Sequence, residues 1–218
     1  MRSLIMSDMY PGFCRELSEK GYHIIPTETV DSFHVPEQRH ADMQLLKIDG
    51  RLFKLSDCEK TVMREYPNNV LLNCLYHNHR LYGNVKAIDP VVIRYCKKQN
   101  IPVENVNQGY SRCSVLPVND NAVITADRSL QKALVKNGAE VLLIQPGDIR
   151  LDGYPYGFIG GAGFTDNNKV FFFGNVRKHH DYEKIKVFCN RYDSKIEILC
   201  PSEPLTDIGG AVLINSPF

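Results

Sequence analysis

The sequence predicts a five-bladed α/β propeller, in which five small units of strands and helix surround a central channel. Five times, a short apolar run ends in a small residue followed by Asp or Asn, and a helix pattern follows. A matching apolar strand and a turn signal precede four of these runs. The fifth missing partner comes from the opposite end of the sequence, because Leu4–Met6 and Ala211–Ile214 are each left without one. Pairing of these strands would close the ring and make residues 1–218 a single domain.

The five corners are the points at which a strand gives way to a residue that can cap a helix. An Asp or Asn side chain there can accept a hydrogen bond from a backbone N–H of the first helical turn. The corners end at Asp8, Asp57, Asn84, Asp127 and Asn175. Five such corners indicate an internally repeated fold.

Turn signals separate the corner strands from the strands before them. Asp49-Gly50, after the strand at 45–48, is the strongest two-residue hairpin signal in the chain. The other three hairpins are predicted at Asn, Asp or His turns, where Asx or left-handed backbone is favoured. They follow the predicted strands 70–76, 115–118 and 163–165, at residues 77–79, 119–121 and 166–168.

Helix patterns follow the corners. Asp127 leads into apolar positions spaced for one helix face, and Gly138 stands where a left-handed residue ends a helix. Asp89 before Pro90 is typical of a helix start, and Asp181 leads into a further amphipathic pattern. A final strand is predicted after four of the helices, at residues 22–25, 101–103, 141–144 and 196–199.

The repeating unit is therefore strand, strand, helix, strand. The second unit is short, because Pro67 follows the helix expected after Asp57 almost directly. A doubly wound parallel sheet is the alternative fold, since helices and strands alternate in it too. The hairpin ahead of the helices favours the propeller.

The composition narrows the classes of partner. The formal net charge is +1, so nothing indicates a nucleic-acid or membrane partner, and neither a spanning segment nor a leader is expected. Seven scattered cysteines without a CxxC pair argue against a disulfide framework or a zinc site. The histidine pairs at 77/79 and 179/180 are interpreted as solvated loops. We expect a cytoplasmic protein with no metal or cofactor; the oligomeric state stays open.

Four motifs resemble an uncharacterised bacterial family assigned to the pentein, or guanidino-modifying-enzyme, fold. They lie at residues 107–114, 156–162, 180–186 and 205–210, and His40-Ala41-Asp42 sits where that family has a His-x-Asp. The fold includes arginine deiminases, dimethylarginine hydrolases, amidinotransferases and the ribosome anti-association factor. The resemblance implies the propeller fold and supplies no known reaction.

The resemblance also implies where a catalytic triad would stand, and this chain departs from it. Enzymes of the fold use a Cys in the last repeat, a His in the third and acids in a Gly-Gly-Asp-like motif. Here residues 207–211 contain no Cys, the third repeat offers Arg112 and Cys113 without a His, and Gly160-Gly161-Ala162 lacks the acid. We therefore predict no hydrolysis of arginine-like substrates through the standard triad.

Residues just before the channel strands are the candidate catalytic groups. Cys113 is the candidate nucleophile, since a neighbouring Arg112 would lower its pKa; alternatively it packs inside a strand. His40 and Asp42, two residues apart, would share one face of a strand as base and orienting acid, or form a surface or rim pair at the end of a loop. The Gly-rich run 160–163 lacks the Lys-Ser/Thr of a phosphate loop, so close backbone packing is the preferred interpretation.

Arg112, Asp207 and Tyr110 are the candidate substrate-binding residues. Asp207 could bind a guanidinium together with Asp42, or could cap the backbone of the Gly209-Gly210 turn. The function predicted is a channel site for an amino-acid or guanidino-like molecule. The alternative is a non-catalytic binding or scaffold protein comparable to the anti-association factor. The two differ in whether a thiol and an imidazole face each other in an open pocket.

Overall fold

A computed structural model describes residues 2–214, which form fourteen strands in five small sheets, five α-helices and three short 3-10 turns. The strands are β1 Arg2–Met6, β2 Tyr22–Pro26, β3 Leu45–Ile48, β4 Arg51–Lys54, β5 Leu75–His77, β6 Arg80–Gly83, β7 Val103–Asn105, β8 Val115–Pro117, β9 Ala122–Thr125, β10 Glu140–Leu143, β11 Gly163–Asp166, β12 Lys169–Asn175, β13 Lys195–Pro204 and β14 Ala211–Ile214. The helices are α1 Pro11–Glu19, α2 Ala41–Gln44, α3 Pro90–Lys98, α4 Arg128–Lys136 and α5 Tyr182–Arg191. None of the helices within residues 2–214 has the length and apolar content needed to cross a membrane.

Four of the sheets have the same construction. In each, the central strand pairs antiparallel with one neighbour, which is its hairpin partner or, for β1, the distant strand β14. On its other side it pairs parallel with the strand that follows the next helix. These sheets are β14–β1–β2, β5–β6–β7, β8–β9–β10 and β11–β12–β13, and the fifth consists of β3 and β4 alone. The four predicted hairpins are confirmed. The doubly wound alternative is wrong, because the strands form separate small sheets.

The first and last strands pair as predicted. β1 runs antiparallel to β14, with Leu4 opposite Leu213 and Met6 opposite Ala211, and parallel to β2 on its other side. Residues nearly the length of the chain apart thus form one sheet. The predicted meeting of the chain ends themselves involves residues 1 and 215–218, which lie outside the described residues.

Apolar helix faces and sheet faces form the core. Leu130, Ala133 and Leu134 of α4 are buried, as the spacing after Asp127 predicts. Phe164 stacks on Phe171 at a ring-centroid distance of 4.7 Å. Full burial of such side chains contributes roughly 1.5–3 kcal/mol each. The core therefore fixes the positions from which the central loops start.

Two predicted helix caps are confirmed. The Asp127 carboxylate accepts from the backbone N–H of Leu130 at 2.8 Å, and Asp89 accepts from Val91 at 2.9 Å. Gly138 has φ +86° just after α4, as expected of a left-handed helix end. These caps satisfy donors that a helix leaves unpaired.

Two other corner residues do not cap an α-helix. α1 begins at Pro11, whose fixed φ suits the first helical turn, so Asp8 lies too early and bonds Arg39 instead. Asn84 accepts from the N–H of Lys86 within a turn.

At the last corner, Asn175 caps only a 3-10 turn over Val176–Lys178, by accepting from the N–H of Arg177. α5 does follow Asp181 as predicted, but the carboxylate of Asp181 accepts from the N–H of Gln145 at 2.6 Å. The strands at these corners form as predicted. The α-helix caps predicted there do not form, because the side chains accept hydrogen bonds from other backbone N–H groups.

The helix predicted after Asp57 is wrong. Asp57 accepts from the N–H of Lys54 and closes a 3-10 turn, and residues 58–74 form turns and extended backbone. The carboxylate of Asp89 accepts from the N–H groups of Glu59 and Lys60 at 3.1 and 2.8 Å. Because a distant carboxylate takes these donors, no local helix is needed to satisfy them. The second sheet consequently keeps only two strands.

Candidate functional site

A cavity of about 390 Å³ is lined by one edge strand from each of the five sheets. These strands are β3, β5, β8, β11 and β14. Arg112 lines the cavity at the end where the strands begin, near the buried Cys74 and Ala211. Lys47 and Asp120 line it beside the hairpin turns and are partly or fully exposed. The cavity therefore opens toward the hairpin turns and ends at Arg112.

Five of the six predicted site residues form a cluster that includes Arg112, and Arg112 is the one member of it that lines the cavity among the described residues. His40, Asp42, Cys113 and Asp207 are each at most 3% exposed, and Arg112 is half-buried. The His40 Nδ1 atom lies 3.9 Å from Asp207 Oδ1. His40 and Asp42 do not share a strand face, because Asp42 lies in α2 and His40 directly precedes that helix, and both are buried and not at a surface rim. Asp42 is close enough to His40, Asp207 and Arg112 for each to affect its pKa. Backbone loops that precede the edge strands bring these side chains together.

Asn73 connects the cluster, and the sequence analysis did not select it. Its amide nitrogen donates to the Cys113 thiol at 2.8 Å and to the Asp42 carbonyl at 3.1 Å. Its amide oxygen accepts from the backbone N–H groups of Arg112 and Cys113 at 2.9 and 3.3 Å. The only sequence signal for Asn73 is its place just ahead of a channel strand.

The Cys113 thiol is held in its protonated form. Burial raises its pKa well above the ordinary value, and the charges of Asp42 and Asp207 raise it further. This direction is opposite to the one expected from the neighbouring Arg112. Since the thiolate is the nucleophilic form, the surroundings of Cys113 reduce its reactivity.

Asp42 is a buried carboxylate without regular hydrogen bonds. Within residues 2–214, no hydrogen bond of regular geometry reaches either of its oxygens or Nε2 of His40, although the Cys113 thiol is close enough to act on Asp42 as a donor. Burial raises the pKa of Asp42 to about 6. The charge of Asp207 adds to this rise, and the charges of His40 and Arg112 reduce it. A buried polar atom left without a partner costs about 1–3 kcal/mol. The oxygens of Asp42 are therefore short of hydrogen-bond donors.

Asp207 caps a turn. Its Oδ1 accepts from the N–H of Gly209 at 2.9 Å, and its Oδ2 accepts from the N–H of Phe158 at 2.8 Å. Of the two interpretations from sequence, the geometry favours backbone capping. A Cβ atom at Gly161 would collide with the Asp207 carboxylate, which is why this glycine-rich run packs so closely.

Tyr110 lies apart from the cavity lining. Its hydroxyl accepts from the amide nitrogen of Asn69 at 2.6 Å, and its ring stacks on Phe158 at 5.9 Å. Burial raises the pKa of Tyr110 to about 12. In the described part of the chain, no group of three or more His, Cys, Asp or Glu residues could hold a metal ion.

The sequence matches one protein family. A family model described as a family of unknown function (DUF6873) matches residues 50–212. A search of curated protein sequences finds no significant match.

Two solved structures are similar over most of the chain. One is a Cys-to-Ser mutant of DDAH from Pseudomonas aeruginosa complexed with citrulline, with a TM-score of 0.58, 11% identity, and coverage of 96% of this chain and 95% of that chain. The other is a dimethylarginine dimethylaminohydrolase mutant as an adduct with S-methyl-L-thiocitrulline, with a TM-score of 0.55, 10% identity, and coverage of 90% and 91%. At such identities the likeness establishes the fold alone, which is pentein-like.

Proposed function

This chain belongs to a family of unknown function, DUF6873, and we propose that it binds a small amino-acid-like or guanidino-like molecule non-covalently at its centre. We further propose that the five sheets form a closed ring and that residues 1–218 are one domain. The shared cavity, lined by an edge strand of every sheet, supports the ring. The pairing of β1 with β14 supports its closure.

The buried carboxylate of Asp42, which no hydrogen bond of regular geometry satisfies, is the observation that carries the binding proposal. The Cys113 thiol is a nearby donor among the described residues, and a ligand ammonium or guanidinium would supply further donors. Such a cation would also favour the ionised form of a carboxyl whose pKa burial raises. His40, beside Asp42 and equally buried, would contact the same group through its unpartnered Nε2.

The solved structures of the same fold support an amino-acid ligand. One holds citrulline and the other a thiocitrulline derivative. Both molecules carry an α-ammonium and an α-carboxylate. In this chain the opposite charges of Asp42 and Arg112 stand near one another without an ion pair within 4.0 Å among the described residues. A zwitterion would complement that arrangement.

Covalent catalysis is the second candidate. Cys113 would act as the nucleophile, His40 as the base and Asp42 as the residue that orients His40. The contacts of Asn73 with Cys113 and Asp42, and the nearness of Asp42 to His40, favour this assignment, and the raised pKa of Cys113 opposes it. We therefore place non-covalent binding first; a scaffold role on the same fold would leave the centre without a ligand.

A thermal-shift screen of amino acids and guanidino compounds tests the proposal. A ligand that binds only the native state raises stability by about 2.7 kcal/mol at a hundred times its Kd. We expect a rise in Tm for wild type that Asp42→Asn loses and Asp31→Asn, a change at an exposed acid, retains. A ligand response that is undiminished in Asp42→Asn would refute the role of Asp42, and no response to any compound would favour the scaffold.

A further inference from the structure

We propose that the cavity binds an anionic group, a carboxylate or a phosphate, on the guanidinium of Arg112, and that this group enters from the hairpin-turn end. The proposal deepens the function above and rests on it only in assuming that one small molecule occupies the centre. It makes the anionic group of that ligand a separately testable partner of Arg112 and gives it a direction of entry.

Arg112 has unused hydrogen-bonding capacity. Only one terminal nitrogen donates, at long distances of 3.3 and 3.5 Å, to the carbonyls of Val115 and Gly160. Within residues 2–214 no carboxylate lies within ion-pair distance of this guanidinium, although the Arg112 charge affects the pKa of Asp42. A guanidinium offers five N–H donors in a planar fork that matches a carboxylate or phosphate. Because Arg112 lines the cavity, a ligand there could reach its remaining donors.

The walls of the cavity also favour an acceptor-rich ligand. All five lining strands are edge strands, and such strands present unpaired backbone N–H and C=O groups. Side chains already donate to several of these carbonyls: Lys47 to Leu213 and Thr165 to Pro117, besides Arg112 to Val115. These bonds occupy three of the carbonyl acceptors that the lining strands would otherwise offer to a ligand.

The charges, volume and exposure of the cavity lining indicate which ligand would fit and how it would enter. Two cations, Lys47 and Arg112, line the cavity against one acid, Asp120. The volume of about 390 Å³ lies near the lower end of the range for ligand pockets. Exposure of the lining increases from the buried Leu46 and Leu75 toward the hairpin turns. A small anion would therefore pass Lys47 and reach Arg112.

Isothermal titration calorimetry at constant ionic strength tests the assignment. Sodium acetate, sodium succinate and inorganic phosphate are titrated into wild type, Arg112→Gln, Arg112→Lys and Arg128→Gln, a control at an exposed arginine of α4. We expect at least one anion to bind wild type and the control alike. Affinity should fall about tenfold or more in Arg112→Gln, because charge-assisted hydrogen bonds are lost, and less in Arg112→Lys. Preference among the probes distinguishes a carboxylate from a phosphate.

A second measurement uses the unaltered protein, since Arg112→Gln also removes contacts to two carbonyls. Phenylglyoxal modification, mapped by mass spectrometry, should be slowed by the bound anion at Arg112 and not at Arg128. Equal modification of Arg112 with and without the anion, equal affinity in Arg112→Gln, or no binding of any probe to wild type would overturn the proposal. The probes carry no cationic group, so anion binding that persists in Asp42→Asn separates this proposal from failure of the binding function.

Discussion

At the scale of single residues, burial and the charges of Asp42 and Asp207 raise the pKa of the Cys113 thiol, and the hydrogen bond from Asn73 opposes them only in part. The sequence predicted that His40, Asp42, Arg112, Cys113 and Asp207 would meet, because each precedes a channel strand. It could not predict how their protons and hydrogen bonds are distributed, since that depends on burial and on a partner distant along the chain. The expected activation of Cys113 by Arg112 is reversed for this reason.

We expect Cys113 to react slowly with a mild haloacetamide near neutral pH. Each unit by which the pKa of a thiol exceeds the pH lowers its thiolate fraction about tenfold. Native wild type and Cys113→Ser should therefore label at the same rate, and a difference of one label should appear only after unfolding. Fast labelling confined to Cys113 in the native protein would instead establish a poised nucleophile. Release of citrulline from arginine, agmatine or methylated arginine would contradict the prediction that the standard triad is absent.

The raised pKa of Asp42 predicts a pH dependence of folding. Its pKa is about 6 in the native state against an ordinary value of 3.8, so the native state binds more protons between these values. Stability should therefore fall as the pH rises through this window, by up to about 3 kcal/mol. Urea unfolding across the window should show this fall in wild type and a flatter profile in Asp42→Asn. A constant difference between the two proteins at every pH would contradict the assignment.

At the scale of elements, local signals predicted what local hydrogen bonds determine. The hairpin at Asp49-Gly50 and the caps of α3 and α4 each depend on hydrogen bonds between residues only a few positions apart. The helix expected after Asp57 fails because Asp89, some thirty positions away, takes the backbone donors of Glu59 and Lys60. Long-range competition of this kind leaves no periodic trace in the sequence.

Replacement of Asp127 by Ala should destabilise the protein by about 1 kcal/mol. The change removes the bond to the N–H of Leu130 and leaves that donor without its cap. Asp8→Ala is the matched control, because Asp8 stands at an equivalent corner and only forms a surface ion pair with Arg39. Equilibrium urea unfolding measures both variants. Equal losses would show that the Asp127 cap contributes nothing beyond a surface charge.

At the scale of the whole molecule, the arrangement of strands into small sheets was predictable from short apolar runs in the sequence. These runs recur along the chain, and the first and last of them have no neighbouring partner strand. The sequence predicts a short second unit, which agrees with the two-stranded sheet. It also predicts a helix after Asp57, which residues 58–74 do not form. The use of the cavity was not predictable from these runs, since it depends on which edge groups remain unsatisfied once five sheets meet.

Ile5→Pro should destabilise the entire chain and not only its first sheet. β1 has a neighbour on each side, so a proline removes a ladder donor from a strand with no free edge. Ile5→Val is the control and should cost about 0.5–1.5 kcal/mol. We expect the urea midpoint of Ile5→Pro to fall strongly while unfolding remains a single transition. Loss of β1, β2 and β14 amide protection alone, with the rest of the chain unchanged, would contradict a single cooperative domain.

The turn at Gly209 limits which side chains its position can carry. Gly209 has φ +80°, and a Cβ atom there would collide with both the Cα and the Cβ atom of His40. The resemblance implies that enzymes of this fold carry their nucleophilic thiol in this part of the last repeat. Because one of the colliding atoms belongs to the backbone of His40, no side-chain change at position 40 alone would make room for a cysteine at position 209. A thiol there would also require the backbone around His40 to move.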